Sequence, residues 1–97
     1  MRVVARKTLR DFAETHPDAD DALENWYRIV SQSDWRSLAD IREVFPMVDY
    51  VRNDRYVFNI RGNKYRLVAM IFFNPTIVYI RFVGTHAEYD KIDCATI

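Results

Sequence analysis

The sequence predicts an α+β fold: N-terminal helices packed on one face of a mostly antiparallel sheet, with a short C-terminal helix. Three observations point there. Apolar residues recur with a helical period through the first half of the chain and alternate with a period of two from residue 48 onward. A Gly62-Asn63 pair sits between two alternating runs, as a hairpin turn does. Near the end, "THAE" has the pattern of a capping box, so a helix should begin just after the last strand.

Each element follows in order. "RVVA" reads as a short first strand. "TLRDFAETH" puts Leu9, Phe12 and Ala13 on one helical face and stops before Pro17. "DADDALENWYRIV" repeats apolar residues at Ala19, Ala22, Leu23, Trp26 and Ile29/Val30. Asp18 or Asp20 can cap this helix, and the acids of its first turn suit the dipole. "SDWRSLADIREVF" offers a shorter third helix ended by Pro46. Trp26 and Trp35 fall at helical positions and read as core, and His16 before Pro17 reads as a helix cap.

In "RYVFNIRGNKYRLVAMIFF", a two-residue turn sets Arg61 against Lys64, Ile60 against Tyr65 and Asn59 against Arg66. Tyr56, Phe58, Ile60, Tyr65, Leu67, Ala69, Ile71 and Phe73 then share the apolar face. Arg55, Asn59, Arg61, Lys64 and Arg66 occupy the other. The last strand, Ile77 to Val83, follows a turn at "FNPT". With Phe72 opposite Ile77, Val78, Ile80 and Phe82 join the core face, Arg81 joins Lys64 and Arg66, and Val83 lies opposite Arg66. A one-residue slip would bury Arg81 and expose three apolar residues.

At 97 residues the chain is read as a single domain, 1–97, and 49% apolar content with 14% aromatics is enough for one core. The single cysteine, Cys94, excludes an internal disulfide and a Cys-based metal cluster, and fits a reducing compartment. No apolar run is long enough for a membrane span and the N-terminus lacks a signal-peptide core, so a cytoplasmic protein is expected.

The net charge of zero hides a division. Residues 11–50 carry ten acids and three bases, whereas from Arg55 to His86 there are five bases and no acid. An acidic middle beside a basic strand region raises the prospect of a nucleic-acid partner; ordinary solvated strand edges would look the same.

The titratable residues of "THAEYDK" sit where the sheet finishes. In a helix starting at His86, residues His86, Tyr89 and Asp90 share one face. They would border the cations of the hairpin. Cleaving RNA through its own 2′-hydroxyl needs a base, an acid and positive charge at the phosphorus. Histidine suits the proton transfer, and arginine and lysine suit the charge. A tyrosine could donate a proton or stack on a base. Such chemistry requires no cofactor. By spacing alone the same residues are more often an ordinary capped helix, with Tyr89 packed under the sheet and Asp90 a surface acid. No nucleophile elbow is present, and two scattered histidines without an acidic ligand cluster argue against a metal site.

"NIRGNKYRLVAMIFFNPTIVYIRFVGTHAEYDKID" closely resembles the C-terminal half of the HigB family of bacterial toxins, within the RelE-type superfamily of mRNA-cleaving ribonucleases. "RKTLRDF", "HPDAD", "ALENWYRIV" and "FP" fall in the family's order, so the resemblance covers nearly the whole chain. It implies a RelE-like toxin of a type II toxin-antitoxin system, paired with a HigA-like antitoxin and cutting mRNA on the ribosome. Asn63, Lys64, Arg66, His86, Tyr89 and Asp90 match the family's motifs. His86, Tyr89, Arg66 and Lys64 are the candidate catalytic residues, and Arg61, Asn63, Arg81 and Asp90 the candidate RNA contacts. One departure is Arg61, where relatives commonly show a second glycine. A competing reading is a non-catalytic toxin of the same superfamily that binds DNA gyrase; it has no need of His86 and Tyr89 beside a basic face. A third is an inert interaction domain.

Overall fold

The computed structural model describes residues 1–97. Strand β1 (Arg2–Val4) leads into helix α1 (Arg6–Thr15), a 3-10 turn (Pro17–Ala19), α2 (Asp20–Gln32) and α3 (Leu38–Val44). Then come β2 (Asp49–Tyr50), β3 (Arg55–Ile60), β4 (Tyr65–Phe73), β5 (Thr76–Thr85) and the single turn of α4 (His86–Tyr89). The strands form one sheet in the order β1-β5-β4-β3-β2. Only β1, parallel to β5, breaks the antiparallel pattern.

Leu9, Leu23, Trp26, Val30 and Ile41 from the helices meet Tyr56, Phe58, Ile60, Tyr65, Leu67, Ala69, Ile71, Val78 and Ile80 in one core. Aromatic edges join the layers: Trp26 and Phe45 each meet Phe58 edge-on, with centroids 5.4 and 5.2 Å away. Trp26 and Trp35 are buried, as expected, although Trp35 lies in the non-helical segment between α2 and α3 rather than in a helix. His16 caps α1: its backbone N–H donates to Phe12 C=O, and its ring stacks on Phe12 at 4.0 Å. Ser37 caps α3 by accepting from Asp40 N–H. No side chain caps α2, because Ala19 occupies that position. Asp18, expected to cap, turns elsewhere.

The β3–β4 pairing matches the expected register, with Ile60 opposite Tyr65 and Asn59 opposite Arg66. Lys64 N–H donates to Arg61 C=O at 3.3 Å across Gly62-Asn63, and Gly62 takes φ +63°. Arg61 is also left-handed, at φ 52°.

The β4–β5 pairing corrects the expectation. Phe72 faces Ile77, but a bulge between Val68 and Ala69 shifts everything beyond it, so Arg66 faces Gly84 and Leu67 faces Val83. Arg81 is the extra residue of that bulge, left exposed between Ile80 and Phe82. Strict alternation allowed only a choice between two faces for every residue of the strand. The bulge changes face midway: Ile80 stays with the helices while Phe82 turns to the opposite side.

That opposite side is not a bare basic surface. Val57, Val68 and Cys94 form a second small core, closed by Phe82, Tyr89, Ile92 and Ile97. The C-terminal segment therefore covers part of this face. Arg55 donates there to the carbonyls of Asn53 and Ile97.

Candidate nucleic-acid interface

The end of β5 and the start of α4 are tied to the start of β4. Thr85 pairs with Tyr65 across the β4–β5 ladder, and His86 N–H donates to Lys64 C=O at 3.3 Å. The capping box is complete: Thr85 Oγ1 accepts from Glu88 N–H at 3.1 Å, and Glu88 Oε1 accepts from Thr85 N–H at 2.8 Å. The hydrogen bond from the Thr85 backbone holds the Glu88 carboxyl below its ordinary range. Gly84 makes this join possible, since a Cβ there would lie 2.5 Å from Phe82 Cζ and 3.1 Å from Glu88 Oε1.

On this frame, His86 Nδ1 lies 3.4 Å from Asp90 Oδ2, which leaves Nε2 as the ring nitrogen without a protein partner. The Arg66 guanidinium sits 5.9 Å from the centre of the Tyr89 ring. Arg66 forms no ion pair, and its Nη1, enclosed by neighbouring side chains, has no acceptor. A cation beside an aromatic face and without a protein anion is suited to receive a phosphate oxygen. The Tyr89 hydroxyl points away to Cys94 Sγ, 3.5 Å distant. Burial in the second core, with that contact, pushes its pKa up to about 12.

Lys64 and Arg61 are placed differently from the expectation. Both reach the Asp18 carboxylate on the helical side, and Tyr65 Oη donates to the same group at 2.6 Å. The hydrogen bond to Asp18 raises the Lys64 pKa, so its ammonium stays charged and is unsuited to serve as a base. Asn63 and Gly62 line a cleft of about 640 Å³ whose other wall includes Phe45, Met47 and Phe58. Arg81 is exposed at the bulge and makes no hydrogen bond with the other candidates. His86 is thus paired with Asp90 and Arg66 with Tyr89, and the Lys64 backbone carbonyl ties its strand to the start of α4; the Lys64 and Arg61 side chains turn to Asp18, and Arg81 stands apart. Sequence reading missed Asp18, whose partners lie more than forty positions away, and Cys94, which follows Tyr89 by five residues with no motif to mark the contact. No three His, Cys, Asp or Glu side chains converge as a metal-binding group would require.

A family profile described as "HigB_toxin, RelE-like toxic component of a toxin-antitoxin system" matches residues 19–92, which spans α2, α3 and all but the first strand of the sheet. The chain belongs to the HigB toxin family. The mRNA interferase toxin HigB of Escherichia coli (strain K12) is 36% identical over 92 residues, covering 93% of this chain and 88% of that relative. The mRNA interferase HigB of Shigella flexneri matches to the same extent. A further mRNA interferase HigB, from Escherichia coli O6:H1, is 30% identical over 94 residues, covering 95% of this chain and 91% of its own. The RelE-like HigB architecture expected from the motifs is thus the one observed: helices against a five-stranded, mostly antiparallel sheet, closed by a short C-terminal helix.

Proposed function

We propose that this HigB-family chain is the toxin of a toxin-antitoxin pair and an endoribonuclease that cuts mRNA. Its curated relatives carry the name mRNA interferase. The observation that carries the site assignment is Arg66: a half-buried guanidinium with no carboxylate partner, beside Tyr89 and one strand position from the residue whose pair, Thr85, starts the His86 helix.

In this reading His86 Nε2 takes the proton of a 2′-hydroxyl while Nδ1 is oriented by Asp90. The 2′-oxygen forms a bond to the adjacent phosphorus as the bond to the 5′-oxygen breaks, leaving a cyclic phosphate and a 5′-hydroxyl. Arg66 faces the charge that grows on the non-bridging oxygens. Lys64 adds charge and holds a proton that the leaving oxygen can take. Tyr89 aligns Arg66 through its ring. The chain acts as one domain, with His86, Tyr89, Arg66 and Lys64 catalytic and Asn63, Arg61, Arg81 and Asp90 along the RNA path.

The partner is a HigA-like antitoxin, the substrate is mRNA, and the place of action is the ribosome in the cytoplasm. No helix is long and apolar enough to cross a membrane. The antitoxin neutralises by presenting acidic residues to the cations at the hairpin or by blocking the ribosome's approach. Primer extension on cellular mRNA after induction tests the reading: wild type yields new 5′ ends and His86→Ala does not. Growth arrest without mRNA cutting would favour a gyrase-binding toxin instead.

A further inference from the structure

Asp18 has a role that the proposed chemistry does not use. It sits in the 3-10 turn between α1 and α2, in the acidic half of the sequence. Its carboxylate nevertheless reaches the base of the β3–β4 hairpin, where Oδ2 accepts from Arg61 Nη1 and Lys64 Nζ and Oδ1 accepts from Tyr65 Oη at 2.6 Å. One anion thus holds two cations and a phenol. That is the donor set a phosphodiester's non-bridging oxygens take from a protein. Its charged members face solvent, the Arg61 and Lys64 side chains 50% and 57% exposed and Asp18 33%, while Tyr65 reaches Asp18 from the core at 3% exposure. Lys64 also lends its carbonyl to the His86 helix, so this cluster adjoins the proposed cleavage site.

We propose that Asp18 is an internal occupant of a phosphate subsite formed by Arg61, Lys64 and Tyr65, which an RNA phosphate displaces on binding. Asp18 thereby sets the affinity of the toxin for RNA. The inference rests on the reading of this chain as an mRNA interferase. Exposed ion pairs are weak enough to be exchanged. While Asp18 remains in place, the two cations carry a fixed counterion and release fewer mobile ones when RNA arrives.

Asp18→Asn removes the charge and keeps an oxygen to accept from Tyr65. The measurement is binding of a fully 2′-O-methylated single-stranded oligonucleotide, which cannot be cut because its attacking hydroxyl is capped, over a range of salt. Asp11→Asn, which removes the same charge from the exposed Lys7 pair, is the control. Asp18→Asn should bind about two- to thirtyfold tighter at low salt, the combined worth of two exposed pairs. Its salt dependence should steepen by about 0.7 for each cation released. Asp11→Asn should change neither. Weaker binding, an unchanged slope or no measurable binding by either protein overturns the proposal and makes Asp18 a brace between layers. Should the Asn variant not fold, the unmodified chain decides: the Asp18 carboxyl carbon signal must move when the oligonucleotide is titrated in, and a stationary signal overturns the proposal. A parallel assay of unmodified mRNA in a ribosome-containing extract separates the two readings. Failure of the wild type to cut sinks the interferase reading, whereas cutting with an unchanged Asp18→Asn slope sinks only the subsite.

Discussion

The Arg66 guanidinium lies 5.9 Å from the centre of the Tyr89 ring and forms no ion pair with a carboxylate of the chain. Arg61 and Lys64 share Asp18, and Arg55 donates to the backbone oxygens of Asn53 and of Ile97 in the C-terminal segment. Of the strand cations near the helix start, Arg66 is the one with no protein partner. Arg66→Ala should therefore abolish toxicity and RNA cutting while leaving antitoxin binding intact. Arg28, which donates to Asn25 on the exposed side of α2, should be nearly neutral when replaced by Ala. Growth assays after induction, with primer extension, compare the two; equal effects in folded proteins would move the site elsewhere.

For His86, acid–base transfer is worth roughly 10²–10⁴-fold, and His86→Ala should lose cleavage on that scale. His86→Gln should fold and bind antitoxin, because the α4 start is fixed by Thr85 and Glu88 rather than by the imidazole. Single-turnover cleavage of a defined mRNA measures the loss. A Gln variant that cuts at the wild-type rate would remove His86 from the mechanism.

Tyr89 contributes its ring to Arg66 and its hydroxyl to Cys94. With a pKa near 12 the phenol stays protonated through the neutral range. Tyr89→Phe should therefore weaken cleavage by less than about tenfold, the loss of roughly one neutral hydrogen bond. Tyr89→Ala should cost far more, since Arg66 loses its stacking surface. Complete loss in the Phe variant would instead show that the hydroxyl gives a proton to the leaving group.

Gly84→Ala tests the join between β5 and α4. The new Cβ would meet Phe82 Cζ at 2.5 Å and Glu88 Oε1 at 3.1 Å, and Phe82 is held in the second core. Overpacking of this kind costs about 1–3 kcal/mol, visible as a lowered denaturation midpoint. Cleavage should fall as well, because the capping glutamate that starts the His86 turn is displaced. Wild-type stability and rate would mean that Phe82 yields freely.

Acid should weaken the tie between the helical layer and the hairpin. Chiefly through the Lys64 hydrogen bond, the Asp18 carboxyl is held down from 3.8 to about 2. A depressed carboxyl stabilises the fold above its unfolded pKa and loses that contribution as pH falls through its folded value. The stability difference between wild type and Asp18→Asn should thus be constant above about pH 5 and shrink as pH falls below it, most steeply between 3.8 and about 2. Thermal melts over that range measure it. A difference that persists at the lowest pH would locate the Asp18 contribution in something other than its charge.

The apolar spacing of Tyr56, Phe58, Ile60, Tyr65 and Leu67 was enough to set the hairpin register, because a slip of one residue would expose the whole set. Thr85 and Glu88 announced α4 because a capping box is made entirely of neighbours. The pairing of His86 with Asp90 one turn on was legible for the same reason. The bulge at Arg81 was not legible. It depends on whether Phe82 finds cover on the second face, and that cover comes from Cys94, Ile92 and Ile97 arriving from the C-terminal segment.

What the sequence by itself determined, then, is whatever depends on residues a few positions apart: the helical and strand periods, the hairpin turn, the capped helix start and the HigB motifs. Only the tertiary structure decided which cations are free. Asp18 takes Arg61 and Lys64 from more than forty positions away, the C-terminal segment takes Arg55, and the bulge turns Arg81 aside, so Arg66 alone stands unpaired beside Tyr89. The physical reason is that charge pairing acts through space on side chains long enough to choose among partners, and the folded layers decide which partners come within reach.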